Sequence, residues 1–321
     1  MLYYLEVYCD SSFLRSVSFC KTVQSCRHGI MTRIEVKLDA LPPMPVRAFL
    51  RANQGISNTI WKRIKNSGTF AINGVICNAT QAKVKNGDTI TYDILRPTDI
   101  LPEDLPLDIC YEDEWLLVIN KPAGQLVHPT TKENSGTVGN ALMHYFAAKG
   151  EAHAFHPVHR LDRDTSGLLL IAKEPQIQYQ LSPKGCKNFK REYRAIIEGS
   201  LNPPDGLVDA PIARALPSII LRKVSPEGQP ARTHYRTIKQ GKGFSLIELE
   251  LETGRTHQIR VHMAHLGHPL LGDDLYGGRM DIIQRQALHA FRLTFHHPMT
   301  GEQLVITAPP PADFLRIAAD F

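Results

Sequence analysis

The chain has 321 residues, 43% of them hydrophobic and 21% charged, with a formal net charge of +5, so it is long enough for two domains, or for one large domain with a small attachment. The mild positive balance is compatible with a nucleic-acid partner without requiring one, no stretch comes near the roughly 18 consecutive apolar residues that span a bilayer, and the opening residues, MLYYLEVYCD, lack the basic n-region of a signal peptide. Cys9, Cys20, Cys26, Cys77, Cys110 and Cys186 form no C-x-x-C pair, which argues against a disulfide framework or structural zinc site and points to a cytoplasmic protein with reduced thiols.

Residues 1–30 are rich in Ser, Cys and aromatics and follow no clean period, and are expected to be a tail or an extension ahead of a true start at Met31. From Ile34 to Leu38 apolar and polar residues alternate as in a strand. Residues 31–95 read as a small module. Val46, Phe49 and Leu50 give one face of a helix ended by Gly55; Ser57 is placed to cap a second helix carrying Ile60, Trp61 and Ile64, which Gly68 closes. Thr69–Ile72, the Asn73-Gly74 pair and Val75–Cys77 form the strongest short hairpin signal available, and Thr89–Tyr92 is a last strand. Arg47, Arg51, Lys62, Arg63 and Lys65 put positive charge on the two helices.

Pro97, Pro102 and Pro106 mark residues 96–107 as a linker. From 108 to 321 short strand runs dominate, including Leu116–Ile119, Leu168–Ala172, Tyr193–Glu198 and Phe244–Leu251. A helix is expected from Val138 to Lys149 with Leu142, Tyr145 and Phe146 inward. Many strands and few helices predict an α+β domain around a mixed, largely antiparallel sheet, beside the small N-terminal α/β module.

The most unusual stretch is His156-Pro-Val-His-Arg-Leu-Asp-Arg-Asp-Thr-Ser-Gly167, a loop crowded with charge that feeds directly into an apolar strand. A loop braced in this way is a rigid mount for a reactive group. Asp162 and Asp164 flank an arginine, and basic neighbours keep a carboxylate ionised.

His159-Arg160-Leu161-Asp162-x-x-Thr165-Ser166-Gly167 resembles the signature of the pseudouridine synthases of the large ribosomal subunit type. Further segments are similar to the rest of that family's motifs in the same order: Asn120–Gly124, Arg191–Gly199, Thr253–His262, His265–Asp273, Leu288–Ala290 and His297–Glu302. Arg191 stands where the family commonly has lysine. The two basic helices with their small sheet resemble an S-four-like RNA-binding domain, on the pattern running from Gly55-Ile-Ser to Ile72-Asn-Gly74.

The resemblance implies isomerisation of uridine to pseudouridine in ribosomal or transfer RNA, with no cofactor and no metal. It makes Asp162 the nucleophile, Tyr193 the residue stacking on the target base, and Arg160 the side chain that fills the gap left by a flipped nucleotide. Thr165 and Ser166 would position the loop or touch RNA, and Arg47, Arg51, Lys62, Arg63 and Lys65 would bind it elsewhere. Arg255 and Arg260 are both placed to pair with Asp162, and Arg255, at the expected start of a helix over Thr256–Leu266, is preferred. A monomer is expected. The flipping these roles require costs a few kcal/mol, least in unpaired RNA, and stacking a base on an aromatic ring is worth ~1–3 kcal/mol. The chain carries no Gly-rich nucleotide loop of either common pattern.

His262 and His265, at i and i+3, share a helical face as a pair of metal ligands does, but no H-E-x-x-H pattern or nearby cysteine accompanies them. A glycoside hydrolase would want a second carboxylate in a separate motif. A non-catalytic RNA-binding protein could lose Asp162, which this chain keeps beside its basic helices.

Overall fold

The computed structural model describes residues 21–26, 29–35, 42–54, 56, 58–66, 69–93, 100–151, 153–182 and 189–319. Two compact units emerge: Met1–Asp99 with Phe146–Ala154 and Glu174–Gln180, and Ile100–Tyr145 with Phe155–Lys173 and Leu181–Phe321.

In the first unit, β1 (Lys21–Cys26), β2 (Gly29–Glu35) and β3 (Met44–Pro45) precede α1 (Val46–Gln54) and α2 (Asn58–Asn66), and β4 (Ala71–Ile72), β5 (Val75–Ile76), β6 (Lys83–Val84) and β7 (Thr89–Asp93) follow. An antiparallel sheet runs β1-β2-β7-β4-β5, with β3 and β6 paired beside it. The helices form because their apolar residues recur at i, i+3 and i+4: Val46, Phe49 and Leu50 join Ile60, Trp61, Ile64, Phe70, Val84 and Ile90 in one buried core. Asn73 (φ 52) and Gly74 (φ 80) make the turn between β4 and β5, both residues left-handed as a two-residue hairpin of this kind requires. Residues 21–26, expected to belong to a tail, are strand, and Met31 lies within β2 opposite Gln24. Residues 1–20, and the expected helix-end residues Gly55, Ser57 and Gly68, lie outside the described residues.

In the second unit, β8 (Ile109–Glu112) and β9 (Leu116–Lys121) lead to α3 (Val138–Ala148). Thr137 caps α3: its Oγ1 accepts the Asn140 N–H (3.3 Å) while its own N–H donates to Asn140 Oδ1 (3.1 Å). Asn140 Nδ2 also donates to the Leu101 carbonyl (2.8 Å), and the Glu103 N–H donates to the Asn140 carbonyl (3.1 Å). The middle of the expected linker, at Leu101 and Glu103, is thus fastened to the head of α3.

After α3 come β10 (His156–Pro157), β11 (Ser166–Ala172), α4 (Pro175–Leu181), β12 (Phe189–Glu198), β13 (Asp205–Asp209), β14 (Ile212–Arg214), β15 (Arg222–Val224), β16 (Arg232–Gln240), β17 (Phe244–Leu251), α5 (Gln258–His265), β18 (Leu288–His296), β19 (Gln303–Thr307) and α6 (Ala312–Ala318), of which α4 up to Gln180, like α3 from Phe146 on, is counted in the first unit. One sheet runs β13-β16-β17-β12-β18-β11-β9-β8, with β19 beside β18 and β10 beside β11. Every pairing is antiparallel except β11 with β18. This is the expected α+β arrangement. All seven residues of β11 are buried, as a strand with neighbours on both edges and cover on both faces demands.

The parallel junction positions the site. Gly167 pairs with Ala290 of β18, and Ala290 pairs on its other side with Tyr193 of β12. At Gly167 the backbone has φ +113, and a Cβ would fall 2.3 Å from the Ala290 carbonyl oxygen. Only glycine allows this approach, which sets the loop before β11 next to Tyr193.

Candidate active site

The loop from Val158 to Thr165 is held from beneath by buried polar groups. Lys121, the last residue of β9, is wholly buried. Its Nζ donates to the carbonyls of Pro122 (2.6 Å), Gln125 (2.9 Å) and Arg163 (2.8 Å). Burial pushes its pKa down to about 7, against the pull of Asp164 and Asp162. His159 is buried, and its Nε2 accepts the Leu170 N–H (3.2 Å); burial, with the field of Arg191, lowers its pKa to about 3, so the ring is neutral. The Thr165 N–H closes a turn on the Asp162 carbonyl (3.2 Å). Arg285, paired with Asp313, donates to the Asp164 carbonyl (3.1 Å).

Asp162 faces the other way, into a cavity of about 450 Å³ that Arg160, Thr165, Arg191, Tyr193, His257 and Arg260 help to line. Asp164 is not among the lining residues. Of the two carboxylates in the loop, Asp162 is therefore the one a ligand would meet.

The partner of Asp162 is Arg260. Its Nη1 donates to Asp162 Oδ2 (3.3 Å), while Nε and Nη2 grip the fully buried carboxylate of Asp273 (2.7 Å each). Burial opposes the Arg260 charge, but the bonds to Asp273, its field and the field of Asp162 more than reverse this, and its pKa stands above the ordinary value. Such a fork, preorganised by one carboxylate, presents a free edge to the other.

The expected pairing of Asp162 with Arg255 is corrected here. Helix α5 begins at Gln258, with the left-handed His257 (φ 57) at its N-cap. Arg255 lies in the preceding turn, exposed, with its Nε donating to the Pro230 carbonyl (3.0 Å). Gln258 builds that turn: its Oε1 accepts from the Arg255 N–H (2.9 Å) and Thr253 Oγ1 (2.8 Å), and its Nε2 donates to the Arg232 carbonyl (3.0 Å) and Thr233 Oγ1 (2.9 Å). The first turn of the helix then brings position 260 to Asp162.

Of the two roles expected for Thr165 and Ser166, their bonds fit positioning the loop. Both are buried. Thr165 Oγ1 accepts from Gln286 Nε2 (3.3 Å), and Ser166 Oγ lies 3.0 Å from Nδ1 of the buried His289, whose Nε2 donates to the Ala308 carbonyl (3.1 Å). Their side chains serve the loop from inside, with Thr165 also reaching the cavity wall. Tyr193 is buried on that wall, and burial together with Asp162 raises its pKa, so the phenol keeps its proton. Arg160 lies exposed on the same wall and has no ion-pair partner among the described residues.

His262 is committed inside the unit, with Nδ1 to Thr233 Oγ1 (2.8 Å) and Nε2 to the Ala210 carbonyl (2.9 Å), and His265 is exposed. In the first unit Arg47, Arg51, Lys62 and Lys65 are exposed. The Arg63 side chain lies outside the described residues.

The sequence reading missed the parts played by Lys121, His257, Asp273 and Tyr276. Lys121 and Asp273 sit in motifs already noted, yet nothing local says that one spans two loops or that the other grips an arginine thirteen positions back.

A family profile described as RNA pseudouridylate synthase matches residues 115–265. The ribosomal large subunit pseudouridine synthase D of Pasteurella multocida is 44% identical over 263 residues, covering 77% of this chain and 81% of its own. An uncharacterized RNA pseudouridine synthase of Bacillus subtilis is 43% identical over 243 residues, 74% of this chain and 80% of its own. Among solved structures, human RNA pseudouridylate synthase domain containing 1 superposes with a TM-score of 0.54 at 26% identity, covering 68% of this chain and 87% of that one. With the Asp162 loop, Tyr193 and Arg260 gathered around one cavity, and relatives this similar over most of their length, the chain belongs to the RNA pseudouridylate synthase family.

Proposed function

We propose that this protein converts uridine to pseudouridine in large-subunit ribosomal RNA, with Asp162 as the nucleophile. One observation carries the reading: a single carboxylate, Asp162, faces a cavity of about 450 Å³ beside the Arg260 guanidinium, with the Tyr193 ring in the same wall. The cavity is of a size to take a flipped pyrimidine nucleotide. Tyr193 offers a face for the base. Arg260 balances the charge of the half-buried Asp162, whose carboxylate would cost more unpaired.

Arg160, exposed on the cavity wall, can stack or pair in the vacated position of the RNA. Arg47, Arg51, Lys62, Arg63 and Lys65 supply a basic surface for RNA phosphates in the first unit. Ribosomal RNA is favoured over transfer RNA by the named activity of the Pasteurella relative. The protein acts as a cytoplasmic monomer.

The test is incubation of purified protein with total RNA lacking its own modification, followed by carbodiimide labelling and primer extension, with Asp162→Ala in parallel. New stops in large-subunit RNA with wild type and none with the variant are expected. Wild-type protein that binds RNA but leaves no stops would replace this reading with a binding role.

A further inference from the structure

His257 meets three conditions that together point into the cavity. Its backbone is left-handed, φ 57, a conformation few residues other than glycine adopt, Asn, Asp and His being the commonest of those that do. Its side chain is 12% exposed and lines the cavity, with Nε2 3.9 Å from Asp162 Oδ2, too far for a hydrogen bond. Its Nδ1 lies 2.8 Å from the Tyr276 hydroxyl.

The last contact fixes the tautomer. The Tyr276 oxygen already accepts the Arg222 backbone N–H (3.1 Å). Its hydroxyl proton finds no acceptor among the described residues other than His257 Nδ1, so Tyr276 donates to Nδ1. The neutral ring then carries its proton on Nε2, the atom facing the cavity. Burial lowers the His257 pKa, against Asp162, and keeps the ring neutral. Burial also raises the Tyr276 pKa, so the donor keeps its proton. Tyr276 is itself anchored, its ring 5.0 Å from the Arg260 guanidinium and its N–H on the Asp273 carbonyl (3.2 Å).

We propose that His257 is a catalytic residue that donates its Nε2–H to a carbonyl oxygen of the flipped uracil while Asp162 acts on the same nucleoside. This rests on the function proposed above. The chemistry asks for such a donor. If the C1′–N1 bond breaks, its electron pair passes to the uracil ring and is shared with O2 and O4. If Asp162 instead adds to C6 of the ring, the displaced pair moves onto O4. Either way a uracil carbonyl gains negative charge. A fixed neutral N–H stabilises it without giving up its proton, and a contact at O4 would also distinguish uracil from cytosine, which carries an amino group there.

Single-turnover rates on a short RNA carrying the mapped uridine, or 2-thiouridine or 4-thiouridine in its place, test the assignment, because sulfur is the weaker hydrogen-bond acceptor. Wild type should be slowed by sulfur at one of the two positions. His257→Ala should be slower on uridine by roughly 10²-fold and should lose that thio penalty, and His257→Gln, which keeps an N–H, should recover part of the rate. Tyr276→Phe, which removes the hydroxyl but keeps the ring under Arg260, should slow uridine conversion and shrink the penalty, and serves if His257→Ala does not fold. Wild type indifferent to both sulfur substitutions, His257→Ala at the wild-type rate, or variants slowed with the penalty intact would overturn the assignment. Wild type that makes no pseudouridine at all would instead overturn the proposed function.

Discussion

Asn73 and His257 are the two non-glycine residues with left-handed backbone in the described chain, at φ 52 and 57, and their surroundings differ. Asn73 is satisfied where it stands: its amide donates to Asp88 Oδ1 (2.9 Å), its oxygen accepts the Thr89 N–H (2.8 Å), and Gly74 completes the turn. His257 heads α5 with no side-chain cap bond, and its ring is turned to Tyr276 and the cavity. Strain of this kind costs on the order of 1–3 kcal/mol and persists where the surroundings over-determine it. At Asn73 the residue type suits the backbone and the reward is a hairpin. At His257 the same backbone carries a larger ring, and the reward is a ring nitrogen facing Asp162.

The comparison is sharpened first by removing what holds the site end in place. Arg260→Ala should be the most damaging change, because it strands the fully buried Asp273 carboxylate as well as freeing Asp162. A loss of roughly 3–5 kcal/mol is expected, read as a lower denaturation midpoint, with pseudouridine formation abolished. Arg255→Ala, which removes an exposed side chain, should move stability by no more than about 0.5 kcal/mol. If Arg255→Ala proved the more harmful to activity, the pairing of Asp162 with Arg260 would not be the working one.

Lys121→Met comes next. It keeps the apolar bulk but leaves the carbonyls of Pro122, Gln125 and Arg163 without their common donor, at a cost of roughly 3 kcal/mol. The Asp162 loop should loosen, and activity should fall with it. An intact thermal midpoint combined with unchanged turnover would show that the loop does not depend on this lysine.

How much of this was legible depended on the range of the interactions. The helices of the first unit were readable because Val46, Phe49 and Leu50 repeat at helical spacing, and the hairpin because Asn-Gly is a local code for two left-handed residues. Gly267 was expected to end α5, and it does: its N–H bonds the Ala264 carbonyl (3.0 Å) and the His268 N–H that of Met263 (2.9 Å), both bonds of a Schellman ending. The motif around Asp162 was visible as a crowded loop. The neighbourhood of Tyr193 was not, because it depends on Ala290 being flanked by β11 and β12, which are distant in sequence. The choice between Arg255 and Arg260 failed at closer range. Spacing suggested a helix from about Thr256, but Gln258 ties up the turn and the left-handed His257 delays the start. For Ser166 the sequence left loop positioning and RNA contact both open, because its partner, His289, lies 123 positions away.

At the other pole, Asn73→Ala should cost roughly 2 kcal/mol, combining an unfavourable left-handed alanine with the lost bond to the buried Asp88. Asn73→Gly should cost less, since only the bonds are lost. Catalysis measured at saturating RNA should be unchanged in both. A fall in turnover would mean that this hairpin acts beyond the first unit's own stability.

His257→Asn is a small change in stability and the one that decides the comparison. Asparagine tolerates the left-handed backbone and is a good N-cap, so the loss of the ring contact with Tyr276 is offset by relieved strain, and stability should stay within about 1 kcal/mol of wild type. The shorter amide cannot reach where Nε2 sat, so turnover should drop sharply while the thermal midpoint holds. The two left-handed residues would then separate cleanly, Asn73→Ala lowering stability without touching catalysis and His257→Asn doing the reverse. A midpoint for His257→Asn falling as far as that of Arg260→Ala would make the histidine a structural element of α5, and its strain would need another explanation.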